Sequence, residues 1–120
     1  MKKLEGHFGT VLSTAYSPSS TLIASGARDN TVRLWDAQMG VTKRVLRHHA
    51  GAVNCVVFAS DECIISGSSD STIHICNVHD GNLHKVLDGG RGGLVMSLTL
   101  SSDGKQMFSG STDGLSLIHI

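Results

Sequence analysis

The chain has 120 residues in which 10 Lys+Arg balance 10 Asp+Glu, enough for one modest core and without the basic field that a nucleic-acid or anionic-membrane surface requires. No apolar run approaches the roughly 18 residues of a helical membrane span, and Met1-Lys2-Lys3-Leu4 runs straight into Glu5-Gly6-His7 with no signal-peptide core. Cys55, Cys63 and Cys76 are odd in number and form no C-x-x-C pair, so free thiols and an intracellular location, cytoplasmic or nuclear, are expected.

In chain order, Lys2-Lys3-Leu4 reads as the tail of a strand, and Thr10–Ser17 as the first complete one. The turn Ser17-Pro18-Ser19-Ser20 leads to strands at Leu22–Gly26 and Thr31–Trp35, and Gly40 turns the chain into Lys43–Leu46. The series then starts again. Ala52–Ala59, Cys63–Gly67, Thr72–Cys76 and Leu83–Leu87 follow with turn residues at Ser60-Asp61-Glu62 and Asp80-Gly81. A third round supplies Leu94–Ser101 and Gln106–Gly110. Val11, Val53 and Val95 are spaced by 42 residues, while Ser25-Gly26, Ser66-Gly67 and Ser109-Gly110 recur at 41 and 43. Asp29, Asp70 and Asp113 keep the register of those glycines. Four antiparallel strands in a period of about 42 residues describe a propeller blade.

Gly6-His7 opens one period and Trp35-Asp36 closes its third strand. With these pairs the chain resembles the WD-repeat β-propeller family over Lys2 to Gly114. The resemblance implies an all-β fold, with blades of four antiparallel strands in an incomplete ring. Residues 1–8 would hold the end of a preceding blade and the Gly-His loop. Blade one would occupy 9–47, blade two 48–88 and a partial blade three 89–114. Repeat two departs from the pattern with His48-His49 and Cys76-Asn77, and repeat three with Gly90-Arg91.

Ser, His and Asp together are the residue types of a hydrolase triad. No G-x-S-x-G elbow presents a nucleophile, and the resemblance implies a buried structural series instead. In it Trp35 bonds Ser25, Ser25 bonds His7, and His7 bonds Asp29. Repeat two would use His49, Ser66 and Asp70 with Cys76 in place of the indole; repeat three would use Ser109 and Asp113 beside Arg91. No catalytic residue, cofactor or metal is expected. His74, His79 and His84 are spaced by five residues, which fits no zinc pattern, and read as surface histidines. Gly89–Gly93 lacks G-K-[ST] and reads as a blade-to-blade loop.

The resemblance also implies where partners bind: three and five residues after each histidine, and just before each network aspartate. These positions are Thr10, Leu12 and Arg28, then Ala52, Asn54 and Ser69, then Leu94, Met96 and Thr112. The expected function is a non-catalytic protein–protein interaction scaffold that binds peptide segments or proteins on its top face. The alternative is a regulatory or sensor propeller of a larger multidomain enzyme, an NTPase or kinase, with the catalytic domain outside this chain. Other proteins or peptides are the expected partners, without nucleic acid or membrane, and the uncovered faces of the end blades invite self-association. Leu115–Ile120 stands apart. Carrying Val32, Arg33 and Leu34 forward by 84 lands on Ser116, Leu117 and Ile118, which inverts polarity at two of three positions. The hexapeptide also matches the translation of CTG-TCT-CTT-ATA-CAC-ATC, an adapter end used in sequencing libraries, so 115–120 is expected to be a non-native tail.

Overall fold

Short β-branched runs bounded by turn residues fold as strands, and each turn here has its own side-chain latch. The computed structural model describes residues 6–88, 93–112 and 114–119. The first sheet runs in chain order through β1 (Val11–Tyr16), β2 (Leu22–Ala27), β3 (Val32–Asp36) and β4 (Thr42–Leu46). The second repeats it with β5 (Val53–Ser60), β6 (Cys63–Ser68), β7 (Thr72–Asn77) and β8 (Leu83–Asp88). The third contains β9 (Val95–Leu100), β10 (Gln106–Ser111) and β11 (Gly114–His119). All pairings are antiparallel, and no helix occurs among the described residues. β5 packs against β1 and β2, and β9 against β5 and β6, so the first strands stand side by side as in a sector of a propeller. The ring is not closed. The strand tail at Lys2-Lys3-Leu4, along with Arg91 and Asp113, lies outside the described residues.

The turn from β3 to β4 explains why repeat two tolerates Asn77 in place of aspartate. Asp36 Oδ1 accepts the amides of Gln38 (2.9 Å) and Met39 (2.8 Å), and Asn77 Oδ1 accepts that of His79 at 2.8 Å. Either side chain latches the turn. Each turn then closes on a glycine in the left-handed region, Gly40 at φ 73° and Gly81 at φ 72°.

Two cores separate three sheets. One lies between the first and second, where Ala24, Val32, Leu34 and Leu46 meet Val53, Val56, Phe58, Ile64 and Cys76. The other lies between the second and third, where Cys55, Ile65, Ile73 and Ile75 meet Val95, Leu98 and Met107. Polar bonds cross the joints as well. Val56 N–H donates to Ser13 Oγ at 3.2 Å, Ser19 N–H to Asp61 Oδ1 at 2.9 Å, and Asn54 Nδ2 to the Val95 carbonyl at 2.9 Å.

The end of the chain requires a correction in register. β11 pairs with β10 so that Leu115, Ser116, Leu117 and Ile118 face Gly110, Ser109, Phe108 and Met107. In the first sheet Val32, Arg33, Leu34 and Trp35 face Gly26, Ser25, Ala24 and Ile23. Apolar residues thus fall on apolar positions, and the inverted polarity disappears. The reason is a shorter turn: Ser111 pairs directly with Gly114, whose φ of +134° suits glycine, so the third strand starts one residue early.

Equivalent valines give a direct test of the joints. Val53 is fully buried, whereas Val11, at the same place in β1, is 47% exposed. Val53→Ala is expected to cost about 1–3 kcal/mol through a cavity at the joint, and Val11→Ala less than about 0.5 kcal/mol. Urea denaturation of the two variants measures the difference.

Candidate functional site

The loop before β1 and the turn between β2 and β3 are tied together by one carboxylate. Asp29 Oδ2 accepts His7 Nδ1–H at 2.9 Å and the Phe8 amide at 2.9 Å. Its Oδ1 accepts the Thr31 amide at 3.1 Å and the Thr31 hydroxyl at 2.6 Å. These bonds outweigh the cost of burial and hold the Asp29 carboxyl well below the usual range. On the far side of the ring, Ser25 Oγ–H donates to His7 Nε2 at 2.6 Å, and Trp35 Nε1–H donates to Ser25 Oγ at 2.8 Å. The donor sequence assigns His7 as the Nδ1–H tautomer.

Ser25, His7 and Asp29 are therefore connected as a hydrolase triad would be. The serine cannot act as one. Its oxygen accepts the Trp35 indole N–H, and Ser25 and Trp35 are both buried, so no carbonyl reaches the hydroxyl.

The second sheet rebuilds this arrangement without its indole. His49 Nδ1–H donates to Asp70 Oδ2 at 3.0 Å, and Ser66 Oγ–H to His49 Nε2 at 2.8 Å. Ala50 and Thr72 supply the amides, and Thr72 hydroxyl donates to Asp70 Oδ1. Asp70 is again held well below the usual range. Cys76, buried at the place of Trp35, faces Ile64 as Trp35 faces Ile23. Burial raises its thiol to about 11. In the third sheet Ser109 is fully buried, and its Oγ bonds to no described residue.

Two threonines and one histidine escaped the sequence reading. Thr31 and Thr72 complete the carboxylate shells, and the spacing Asp-x-Thr shared by both repeats is the signal that could have found them. His74, expected at the surface, is buried, while His79 and His84 are exposed. The His74 ring stacks on His49 with centroids 3.7 Å apart and planes 7° apart, and its Nε2 lies 3.1 Å from Thr72 Oγ1. Because the Thr72 proton goes to Asp70, His74 Nε2 is the donor, which leaves Nδ1 buried and unpartnered among the described residues. Burial, reinforced by His49 and His48 and opposed by Asp70, pushes the His74 pKa down to about 4; burial likewise lowers that of His49.

The ligand-type atoms of His49, Asp70 and His74 lie within 4.8 Å of one another. Parallel stacking excludes a shared ion. A metal sits in the plane of each imidazole that binds it, and an ion in the plane of one ring is off the plane of the other.

At the end of the sheets that these networks frame, six of the expected partner-facing residues line one depression of about 440 Å³: Leu12, Arg28, Ala52, Asn54, Ser69 and Met96. Thr10, Leu94 and Thr112 do not line it. Thr10 accepts the Arg28 amide through its carbonyl (2.9 Å), and Leu94 accepts that of Thr112 at 3.1 Å. Both protons of the Asn54 amide are engaged, one by Ser69 Oγ at 3.0 Å and one by the Val95 carbonyl. The Asn54 amide nitrogen is therefore committed within the protein. Phe8, 89% exposed, stands on the same loop as Thr10.

Comparison with known proteins agrees with this architecture. The family model described as WD domain, G-beta repeat matches residues 1–36, 40–77 and 81–116. The chain belongs to the WD-repeat family. It is 31% identical over 115 residues to transducin beta-like protein 3 of Bos taurus, covering 93% of this chain and 14% of that protein. It is 34% identical over 119 residues to small ribosomal subunit protein RACK1y of Oryza sativa subsp. japonica, covering 93% and 35%. With apoptotic protease-activating factor 1 of Homo sapiens it shares 33% over 111 residues, covering 86% and 9%. The chain thus spans 35% or less of the length of these three relatives.

Trp35→Phe removes the donor to a buried serine and is expected to destabilise the fold by about 1–3 kcal/mol, measured as a fall in the urea midpoint. The histidines set a pH dependence. His49 and His74 take up protons less readily when folded than when unfolded, so the unfolded chain binds more protons and stability falls as pH drops from about 6.5 toward 4. Each ring contributes at most about 1.4 kcal/mol per pH unit. Asp29 and Asp70 add their own loss only below about pH 4. His74→Gln is expected to flatten the upper part of this profile, read from urea midpoints at successive pH values.

Proposed function

We propose that this chain is part of a non-catalytic scaffold that binds peptide segments or proteins on the face carrying Arg28, Leu12 and Met96. The observation that supports this reading is the depression that those residues share with Ala52, Asn54 and Ser69. Its chemistry is mixed. Arg28 offers a charged fork to a carboxylate or phosphate, while Leu12 and the half-exposed Met96 offer apolar contact. The flanking loops are held by the aspartate networks, which lowers the ordering cost of binding. Unpaired cysteines and relatives that include a small ribosomal subunit protein support an intracellular site of action.

A second reading has its own observation. The similarity to apoptotic protease-activating factor 1 covers 9% of that protein, which favours a regulatory propeller attached to a larger machine.

The first reading is tested with a display library of random peptides. Selected peptides are expected to carry an acidic or phosphorylated residue beside an apolar one. Arg28→Glu combined with Met96→Asp is expected to reduce capture roughly tenfold or more with unchanged circular dichroism. Undiminished capture by the folded double variant would move the site to the rim or the opposite face.

A further inference from the structure

The joint between the first two blades opens into a groove of about 330 Å³ at the end of the sheets opposite the depression. Its floor is Leu22 with the edges of the buried Leu34 and Val78. Each sheet runs in order from its first to its fourth strand, so the groove leads outward from the β1–β2 turn to β4. Two fasteners fix its walls. On the inner side the Ser19 amide donates to Asp61 Oδ1 at 2.9 Å. On the outer side Arg44 reaches across the joint, donating to the Asp80 carbonyl at 3.0 Å and to the His79 carbonyl at 2.6 Å. The Arg44 stem lies on Gly81, where a Cβ would stand 2.7 Å from its Cδ. A groove held at both ends is formed before a ligand arrives, which lowers the cost of binding.

Two charges in this groove are available to a ligand. Asp36 is spent on its turn amides, and Arg44 on the carbonyls. Lys43, exposed at the start of β4, has no hydrogen-bond or ion-pair partner among the described residues. Asp61 is exposed, and its Oδ2 bonds to no described residue. The two face the same groove without pairing with each other. Asp61 stands at the inner end and Lys43 at the outer, with the apolar floor between them. The next joint repeats the groove at about 260 Å³ with other side chains. Cys63, Ile75, Asn77 and His84 replace Leu22, Leu34, Asp36 and Lys43, and Glu62 replaces Thr21. That copy offers a carboxylate and no ammonium.

We propose that the first groove binds an extended peptide that presents a basic, an apolar and an acidic side chain on alternate residues. Charge complementarity selects this occupant, and the sheet sets its spacing. From the β1–β2 turn to β4 is about two and a half strand spacings, or roughly 12 Å. An extended chain covers roughly 13 Å in four residues and turns every second side chain the same way. Its first, third and fifth side chains therefore meet Asp61, the apolar floor and Lys43 in turn. The inference does not rest on the reading of the opposite face, since no residue of the groove lines that depression.

The test is fluorescence anisotropy of a labelled, end-capped peptide, Lys-Thr-Leu-Thr-Glu, titrated with the 120-residue chain. Saturable binding is expected. Moving the two charges next to the leucine, or giving both the same sign, is expected to weaken it roughly tenfold or more. Lys43→Glu and Asp61→Asn are each expected to do the same, with circular dichroism reporting the fold; Asp61→Asn keeps an acceptor for Ser19. The decisive arm is a charge exchange. Lys43→Glu is expected to bind Lys-Thr-Leu-Thr-Lys better than the unaltered chain does. Peptides selected through Arg28 are expected not to compete. Absence of saturable binding, affinity indifferent to Lys43, failure of the exchange, or competition from the Arg28 peptides would each overturn the proposal. Self-association that is lost on Lys43→Glu would give the groove to a second copy and overturn it as well.

Discussion

A carboxylate at the turn between the second and third strands governs how each of the first two blades is built. Asp29 receives a ring N–H, a hydroxyl and two amides, and Asp70 receives the same set. Four donors converge on two oxygens, which is close to the full acceptor capacity of the group. Each carboxylate thereby ties the loop before the first strand to a turn more than 20 residues later. The loop geometry at that end of the sheets follows from this tie. Arg28 and Ser69 immediately precede the two aspartates, so the same bonds that secure the turns also set the floor of the depression.

The Ser-His-Asp connectivity shows how far residue types and distances can go without producing a reactive serine. The proton path from Ser25 to His7 to Asp29 is complete at 2.6 Å and 2.9 Å. What differs from a hydrolase is the fourth partner. The Trp35 indole N–H occupies one lone pair of the serine oxygen and the buried indole closes the site to solvent, so the series becomes a rigid strut. In blade two, the stacked His74 ring lies next to the corresponding histidine, and the thiol of Cys76 donates no comparable bond to Ser66.

Strand positions, the three-fold period and the network residues of blades one and two were legible because each rests on a fixed offset between repeats. Three features were not. Thr31 and Thr72 look like ordinary β-branched strand residues, and only their hydroxyls distinguish them. His74 alternates with Ile73 and Ile75 and points to the opposite side of the sheet, but alternation alone does not reveal that a second ring covers it. The register of β11 depends on a turn one residue shorter than those before it, and a constant offset carried through that turn reverses the strand. In each case the missing information was a contact between side chains or a loop length.

Among the described sheets, blade two is packed on both faces, against blade one and blade three. In a stack where each unit touches only its neighbours, stability is the sum of local terms and joints. Among the described sheets, β5, β6 and β7 are released only when both joints fail. Within this set of sheets, amide protons in those three strands exchange with solvent through a rarer opening than those of β1, β2, β9 and β10. The depression straddles this gradient. Ala52, Asn54 and Ser69 belong to the persistent middle, and Leu12, Arg28 and Met96 to the parts that loosen first.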